Sequence, residues 1–346
     1  MNFRIADRSV GIGYPPLVVA EIGINHNGDL KQAKQLVDAA VNAGAEIIKH
    51  QTHIPDAEMS VEAKSVIPGN AEISIYEVIS NCALTLDEEL HLAEYVKDKG
   101  VIYISTPFSF EAVDFLESIN VPAYKIGSGE CNNYPLVEAV ASKRKPVIMS
   151  TGMNSIESIT PSVEILREYG VPYALLHCTN LYPTPDNLIR LNSILDLNKA
   201  FPDAVLGLSD HSLTNYPCLA SVALGASILE RHFTDSKSRF GPDIICSMTP
   251  KELTELIEAS KIIYEATQGS KFPVKEEGVT MAFAFSSVVA KRNLVKGHVI
   301  TREDITLKRP GGGDFGPKNF FGLIGRTVVR DIPLNTQFRY SQVSND

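Results

Sequence analysis

The chain has 346 residues, 44% of them hydrophobic, with mean hydropathy near zero and a formal net charge of −9. It can bury a large core and carry a small second domain, and no apolar run reaches the ~18 residues that would span a bilayer. The acidic balance, without any long basic block, argues against nucleic acid or an anionic membrane as partner, so an anionic substrate would need Lys or Arg placed locally. The start, MNFRIADRSV, is polar and lacks the apolar core of a signal peptide. Cys82, Cys131, Cys178, Cys218 and Cys246 have no CxxC spacing and fit reduced thiols in a cytoplasmic protein.

In chain order, eight apolar runs each lead into polar residues: LVVAEIG (17–23), EIIKHQT (46–52), VIYISTPF (101–108), AYKIGSGE (123–130), KPVIMSTG (145–152), YALLHCTN (173–180), VLGLSDH (205–211) and SILERHF (227–233). Strands buried on both faces read as such runs, so parallel strands are expected. Helical segments separate them. DLKQAKQLVDAAVNAG (29–44) places Leu30, Ala33, Leu36, Val37, Ala40 and Val41 on one stripe behind an Asp29 cap. LDEELHLAEYVKDKG (86–100) repeats the pattern. SFEAVDFLESIN, YPLVEAVASK, SIESITPSVEILREYG and NYPCLASVALGA cover later connections, and 249–269 closes the ring. The predicted fold is a (β/α)8 barrel over residues 1–269, whose site lies at the carboxyl ends of the strands. The irregular stretch 53–84 is long for a compact domain and reads as a substrate lid or wall. Residues 270–285 read as a linker without helical period. Residues 286–346 read as a compact β-rich domain, its short strands parted by KG, RPGGG and the turn at Asp331–Asn335.

Chemistry is concentrated at the strand ends. His211 and His232 end the last two runs, and neighbouring strands lie about 4.8 Å apart, so both imidazoles can reach one ion. Asp210 and Glu230, close to them in sequence, are expected to orient the rings or complete the shell. Mn²⁺, Mg²⁺, Co²⁺ and Zn²⁺ all suit such a set; the alternative is a pair of hydrogen-bonded core histidines. Lys49, Lys125, Ser128, Ser150, Thr151, Asn180 and Ser209 offer ammonium and hydroxyl donors suited to a phosphate or carboxylate. Singly, each hydroxyl reads as a backbone cap rather than an anion donor. Glu21 is a general base, a metal partner or the ion-pair partner of Lys49. KRPGGG (308–313) is, by itself, a Gly-rich turn.

The motifs EIGINHNGDL, KHQTHI, VIPGNAEISIYE, STPFS, YKIGSGECNNYPL, STGMNSIESI, HCTNLYPTP, GLSDH, LERHFT and GPDIICSM together resemble the bacterial sialic acid synthases. These make N-acetylneuraminate from phosphoenolpyruvate and N-acetylmannosamine. The tail resembles their antifreeze-like (SAF) domain, with KRPG as its signature. The resemblance implies a divalent metal, commonly Mn²⁺, on His211 and His232, with Glu230 beside it, and a domain-swapped homodimer. Lys49, Thr106, Lys125, Ser128, Ser150, Asn180 and Ser209 would line the phosphoenolpyruvate site. Gln51, Asn70, Tyr182 and Asp243 would hold the amino sugar, Glu21 would be the catalytic carboxylate, and Arg309 would reach the partner's site. KHQTHI and VIPGNAEISIYE look more like the N-acetylneuraminate branch than the legionaminic or pseudaminic acid branches. Two rivals remain open: a Schiff-base pyruvate aldolase using Lys125, and a binding tail on an inert barrel.

Overall fold

The computed structural model describes residues 1–68 and 72–344. Eight parallel strands close into a barrel: β3 (Leu17–Glu21), β4 (Ile47–Thr52), β5 (Ile102–Pro107), β6 (Tyr124–Ile126), β7 (Val147–Ser150), β8 (Tyr173–Cys178), β9 (Val205–Asp210) and β10 (Ile228–His232). They follow in sequence order, with β10 returning to β3. Each of the eight apolar runs is one strand, and the (β/α)8 fold class stands.

Alternation along the strands divides two cores. Leu17, Val19, Ile47, Ile104, Ile148, Ala174, Leu176, Val205 and Ile228 fill the barrel interior. Their neighbours Val18, Ala20, Ile48, Val147, Met149, Leu175, Leu206 and Leu229 face the surrounding helices. Those helices include α1 (Leu30–Asn42), α4 (Leu86–Asp98), α5 (Phe110–Ser118), α6 (Tyr134–Ser142), α7 (Ile156–Glu168), α9 (Tyr216–Ala223) and α10 (Pro250–Ala266). Asp29 caps α1 as expected, its carboxylate accepting from the Lys31 and Gln32 amides. The buried stripe Ala33, Leu36, Val37 and Ala40 turns inward. Because the apolar residues fill the lower interior, the polar residues one or two steps further along each strand meet at the carboxyl end.

The structure adds elements that the sequence reading missed. An N-terminal hairpin, β1 (Asn2–Ile5) and β2 (Arg8–Gly11), inserts Ile5 and Val10 among the first residues of the barrel strands and closes their amino ends. Truncating Ile5 to Ala would open a cavity there at a cost of about 2–5 kcal/mol. Helix α8 (Ser193–Ala200) follows β8. The stretch 53–84 is not simply irregular: it holds α2 (Pro55–Glu58) and α3 (Ile75–Cys82), the latter held by a Ser74–Glu77 capping box.

The chain divides into two compact units, residues 1–268 and 269–346. In the second unit, β11 (Ser287–Ala290) and β12 (Ile305–Lys308) pair antiparallel around a core of Val288, Leu294, Ile300, Phe315, Val328 and Phe338. Within the stretch read as lacking a helical period, residues 278–284 form a short helix, α11 (Gly278–Ala284). No helix of the described residues is long and apolar enough to cross a membrane.

Candidate active site

Strand register builds the site. Glu21, Lys49 and His232 form a row, since β3 pairs Glu21 with Lys49 on one side and with His232 on the other. Ser209 and Glu230 are likewise register partners on β9 and β10. A cavity of about 320 Å³ opens over these strand ends. It is lined by Lys49, Gln51, Thr106, Lys125, Ser128, Ser150, Asn180, Tyr182, Ser209, His211, Glu230, His232 and Asp243. The structure thus brings together nearly all the residues expected there. Glu21 lies against this wall, ion-paired to Lys49 and accepting a hydrogen bond of 3.0 Å from the Gln51 amide. Asn70 lies outside the described residues. Arg309 belongs to the second unit, where its side chain makes no hydrogen bond or ion pair with the described residues of that unit.

Electrostatics inside the barrel are nearly balanced. Lys49 and Lys125 are buried, and so are Glu21 and Glu230. Lys125 stands 3.5 Å from Glu230 and donates to Ser150 Oγ at 2.7 Å. Burial pushes the Lys125 ammonium below its ordinary value despite Glu230 beside it. Burial opposes the charge of Lys49 too, but there the carboxylates of Glu21 and Glu230 win and hold its pKa above the ordinary value. Glu230 also resists burial: the two ammoniums keep its pKa low, and its Oε2 has no hydrogen-bond partner.

The histidines fit a cation only as half a coordination shell. Their ring centroids are 5.3 Å apart, and Tyr182 stacks on His211 at 4.1 Å. His211 Nδ1 sits 3.1 Å from the Thr179 carbonyl oxygen, so Nδ1 carries the hydrogen and Nε2 keeps its lone pair. Burial, with His232 nearby, pushes His211 down to about 3, so the ring is neutral, as a ligand must be. His232 Nδ1 is buried without a hydrogen-bond partner, 3.6 Å from Asp243 Oδ2. Among the described residues no three His, Cys, Asp or Glu groups converge as a complete coordination set. The remaining positions would fall to substrate or water oxygens.

Two expectations fail. Asp210 does not orient His211 or complete its shell; it faces the opposite side of β9, 3.3 Å from the Arg231 guanidinium and bonded to Ser212. The reason is the two-residue period of a strand: Ser209 and His211 point inward, so Asp210 cannot. Thr151, offered as an anion donor, instead bonds its hydroxyl to the Leu176 carbonyl at 3.0 Å.

The structure also adds residues to the wall: His53, Ile79, Phe108, Glu130, Met153 and Cys178. Burial pushes Glu130 up to about 7, and pushes the Cys178 thiol up to about 11. Glu130 was visible at the end of AYKIGSGE, but nothing in its spacing shows the side chain returning over Gly127, where an added methyl would come within 2.6 Å of Oε2.

Residues 285–344 match the SAF domain. An uncharacterized protein of Methanocaldococcus jannaschii is 39% identical over 90% of this chain and 90% of its own length. The N,N'-diacetyllegionaminic acid synthase of Legionella pneumophila is 35% identical over 94% of each chain. The crystal structure of N-acetylneuraminic acid (sialic acid) synthetase from Leptospira borgpetersenii, in complex with citrate, superposes with a TM-score of 0.75 at 30% identity. It covers 81% of this chain and 95% of its own. With residues 36–271 matching the NeuB family itself, the chain belongs to that family and carries a C-terminal SAF domain.

Proposed function

We propose that the barrel condenses phosphoenolpyruvate with N-acetylmannosamine, giving N-acetylneuraminate and phosphate. The observation that carries this reading is the convergence of Lys49, Lys125 and the strand-end hydroxyls with His211 and His232 on one cavity. Lysines and hydroxyls suit the phosphate and carboxylate of phosphoenolpyruvate. Lys49, Thr106, Lys125, Ser128, Ser150, Asn180 and Ser209 would hold it. Gln51, Tyr182 and Asp243 would hold the sugar, as would Asn70.

A divalent cation, Mn²⁺ by preference with Mg²⁺ or Co²⁺ as alternatives, would be held by His211 and His232 and would supply a Lewis acid for the sugar's aldehyde oxygen. The charge balance supports it. Glu21 and Glu230 already offset the two lysines, so a bound trianion needs further positive charge. Carbon 3 of phosphoenolpyruvate attacks the aldehyde carbon, and water adds to the cation developing at carbon 2. Glu21 takes that water's proton or stabilises the cation. The adduct then expels phosphate by carbon–oxygen cleavage. We extend the reading to a homodimer in which Arg309 completes the partner's site.

A second reading of the sugar rests on the 35% identity with the legionaminic acid synthase over 94% of the chain. A diacetamido sugar would then replace N-acetylmannosamine. The test is phosphate release across a panel of acetamido and diacetamido sugars, with labelled oxygen in the bridge of phosphoenolpyruvate. The label should leave with phosphate. Bridge label retained in the sugar product would overturn the route, and borohydride trapping of pyruvate on Lys125 would replace it with Schiff-base chemistry.

A further inference from the structure

A buried hydrogen-bond chain runs from the wall segment to the candidate catalytic carboxylate. Glu58, the last residue of α2, holds His53 Nδ1 with its two carboxylate oxygens at 2.9 and 3.1 Å. His53 Nε2 lies 3.0 Å from Gln51 Oε1, and Gln51 Nε2 donates to Glu21 Oε1 at 3.0 Å. The side chains of His53 and Glu58 are only 5% and 7% exposed. Phe108 stacks on the His53 ring with centroids 4.3 Å apart. The directions are fixed from the Glu21 end. A carboxylate can only accept, so Gln51 turns its nitrogen to Glu21 and its oxygen to His53. His53 therefore donates from Nε2 to Gln51, with Nδ1 set against the Glu58 carboxylate.

Gly23 is shaped to this contact. Its φ is +33°, and an added Cβ would stand 2.5 Å from Glu21 Oε1 and 2.8 Å from Gln51 Nε2. A side chain there would push the two apart.

We propose that His53 is a positioning residue: held by Glu58, it fixes the Gln51 amide, which in turn aims the Glu21 carboxylate at the reacting water. A hydrogen-bonded amide otherwise has two orientations of similar shape. Only one presents N–H to Glu21, and His53, donating to Gln51 Oε1, holds the amide in that orientation from its other end. The chain also ties α2 to the carboxylate, so the segment after β4 contributes to catalysis as well as enclosing the cavity. This inference rests on the reaction proposed above.

The experiment is a double-mutant cycle on the full chain. His53→Ala should lower kcat at least ~10-fold while the phosphoenolpyruvate Kd, measured by calorimetry, stays within about twofold. In a Glu21→Gln background the same change should cost no more than about twofold. A full multiplicative loss in that background, or unchanged kcat in wild-type background, would overturn the proposal. If His53→Ala melts early, Gly23→Ala and Glu58→Gln replace it in the cycle. A second readout needs no turnover. In ¹⁵N-histidine NMR His53 Nε2 should carry a hydrogen, and Glu21→Gln, two hydrogen bonds away, should shift its signal. An unshifted signal would overturn the relay. If wild-type protein turned over no phosphoenolpyruvate–sugar pair, the reaction assigned above would fall, and the nitrogen signal would still decide the relay.

Discussion

Glu21 and Lys49 face each other on neighbouring parallel strands and pair inside the barrel, with side chains only 2% and 5% exposed. Such a pair is expensive to break from one side, because the partner is left charged and dry. Lys49 also stands 3.8 Å from Glu230, so it serves two carboxylates. Lys49→Met should therefore destabilise the fold by about 3–5 kcal/mol as well as abolish activity.

Glu21→Gln should behave differently. The isostere keeps the shape and the Gln51 contact while losing the charge. Phosphoenolpyruvate binding should remain largely intact while turnover falls at least ~100-fold, the low end for a general acid–base group. Near-normal turnover would reduce Glu21 to a structural partner of Lys49.

The fold was legible in the strands because burial on both faces leaves an uninterrupted apolar run with a polar end. Which polar neighbour enters the cavity is decided by alternation. That separates Glu230, inside with Ser209, from Asp210, outside with Arg231. The N-terminal hairpin was not legible: its turn at Ala6 and Asp7 lacks glycine or asparagine, and Ala6 takes a φ of +52° usually left to them. Helix α3 was marked only by Ser74-x-x-Glu77, a single box in a segment without clear periodicity. Glu130 and His53 were missed for another reason. Their positions depend on backbone that has left its strand, where neither period applies.

Metal binding should depend on both histidines. Wild-type protein should bind Mn²⁺ in equilibrium dialysis and lose phosphate release on chelation, with recovery on adding Mn²⁺. His211→Ala and His232→Ala should each lose Mn²⁺ binding while keeping a cooperative thermal transition. Full activity in an extensively chelated sample would remove the cation from the mechanism.

Glu130 gives a pH signature. Its carboxyl is raised by burial from 4.5 in the open chain to about 7 in the fold. Between these values the native protein holds a proton that the unfolded chain has released. The contribution to stability is therefore fully present below 4.5 and lost as pH rises through about 7. Glu130→Gln cannot titrate. The stability difference between wild type and variant, read from urea midpoints, should shift against the wild type across this window. A difference that stays flat, or moves the other way, would place the Glu130 carboxyl in contact with water.

The last expectation concerns Arg309, whose side chain has no hydrogen-bond or ion-pair partner among the described residues of its own unit. If it completes a neighbour's site, Arg309→Ala and His211→Ala should each be nearly inactive, yet complement one another. In a mixed dimer the barrel with intact His211 belongs to the subunit lacking Arg309, and it receives Arg309 from the other subunit. The second barrel lacks His211 and stays silent. Random reassortment makes about half of all dimers mixed, each with one competent site of two, so roughly a quarter of sites should recover. Unfolding the two variants together, refolding and assaying phosphate release measures this directly. Mixed dimers confirmed by mass but without activity would mean that Arg309 serves its own barrel or none.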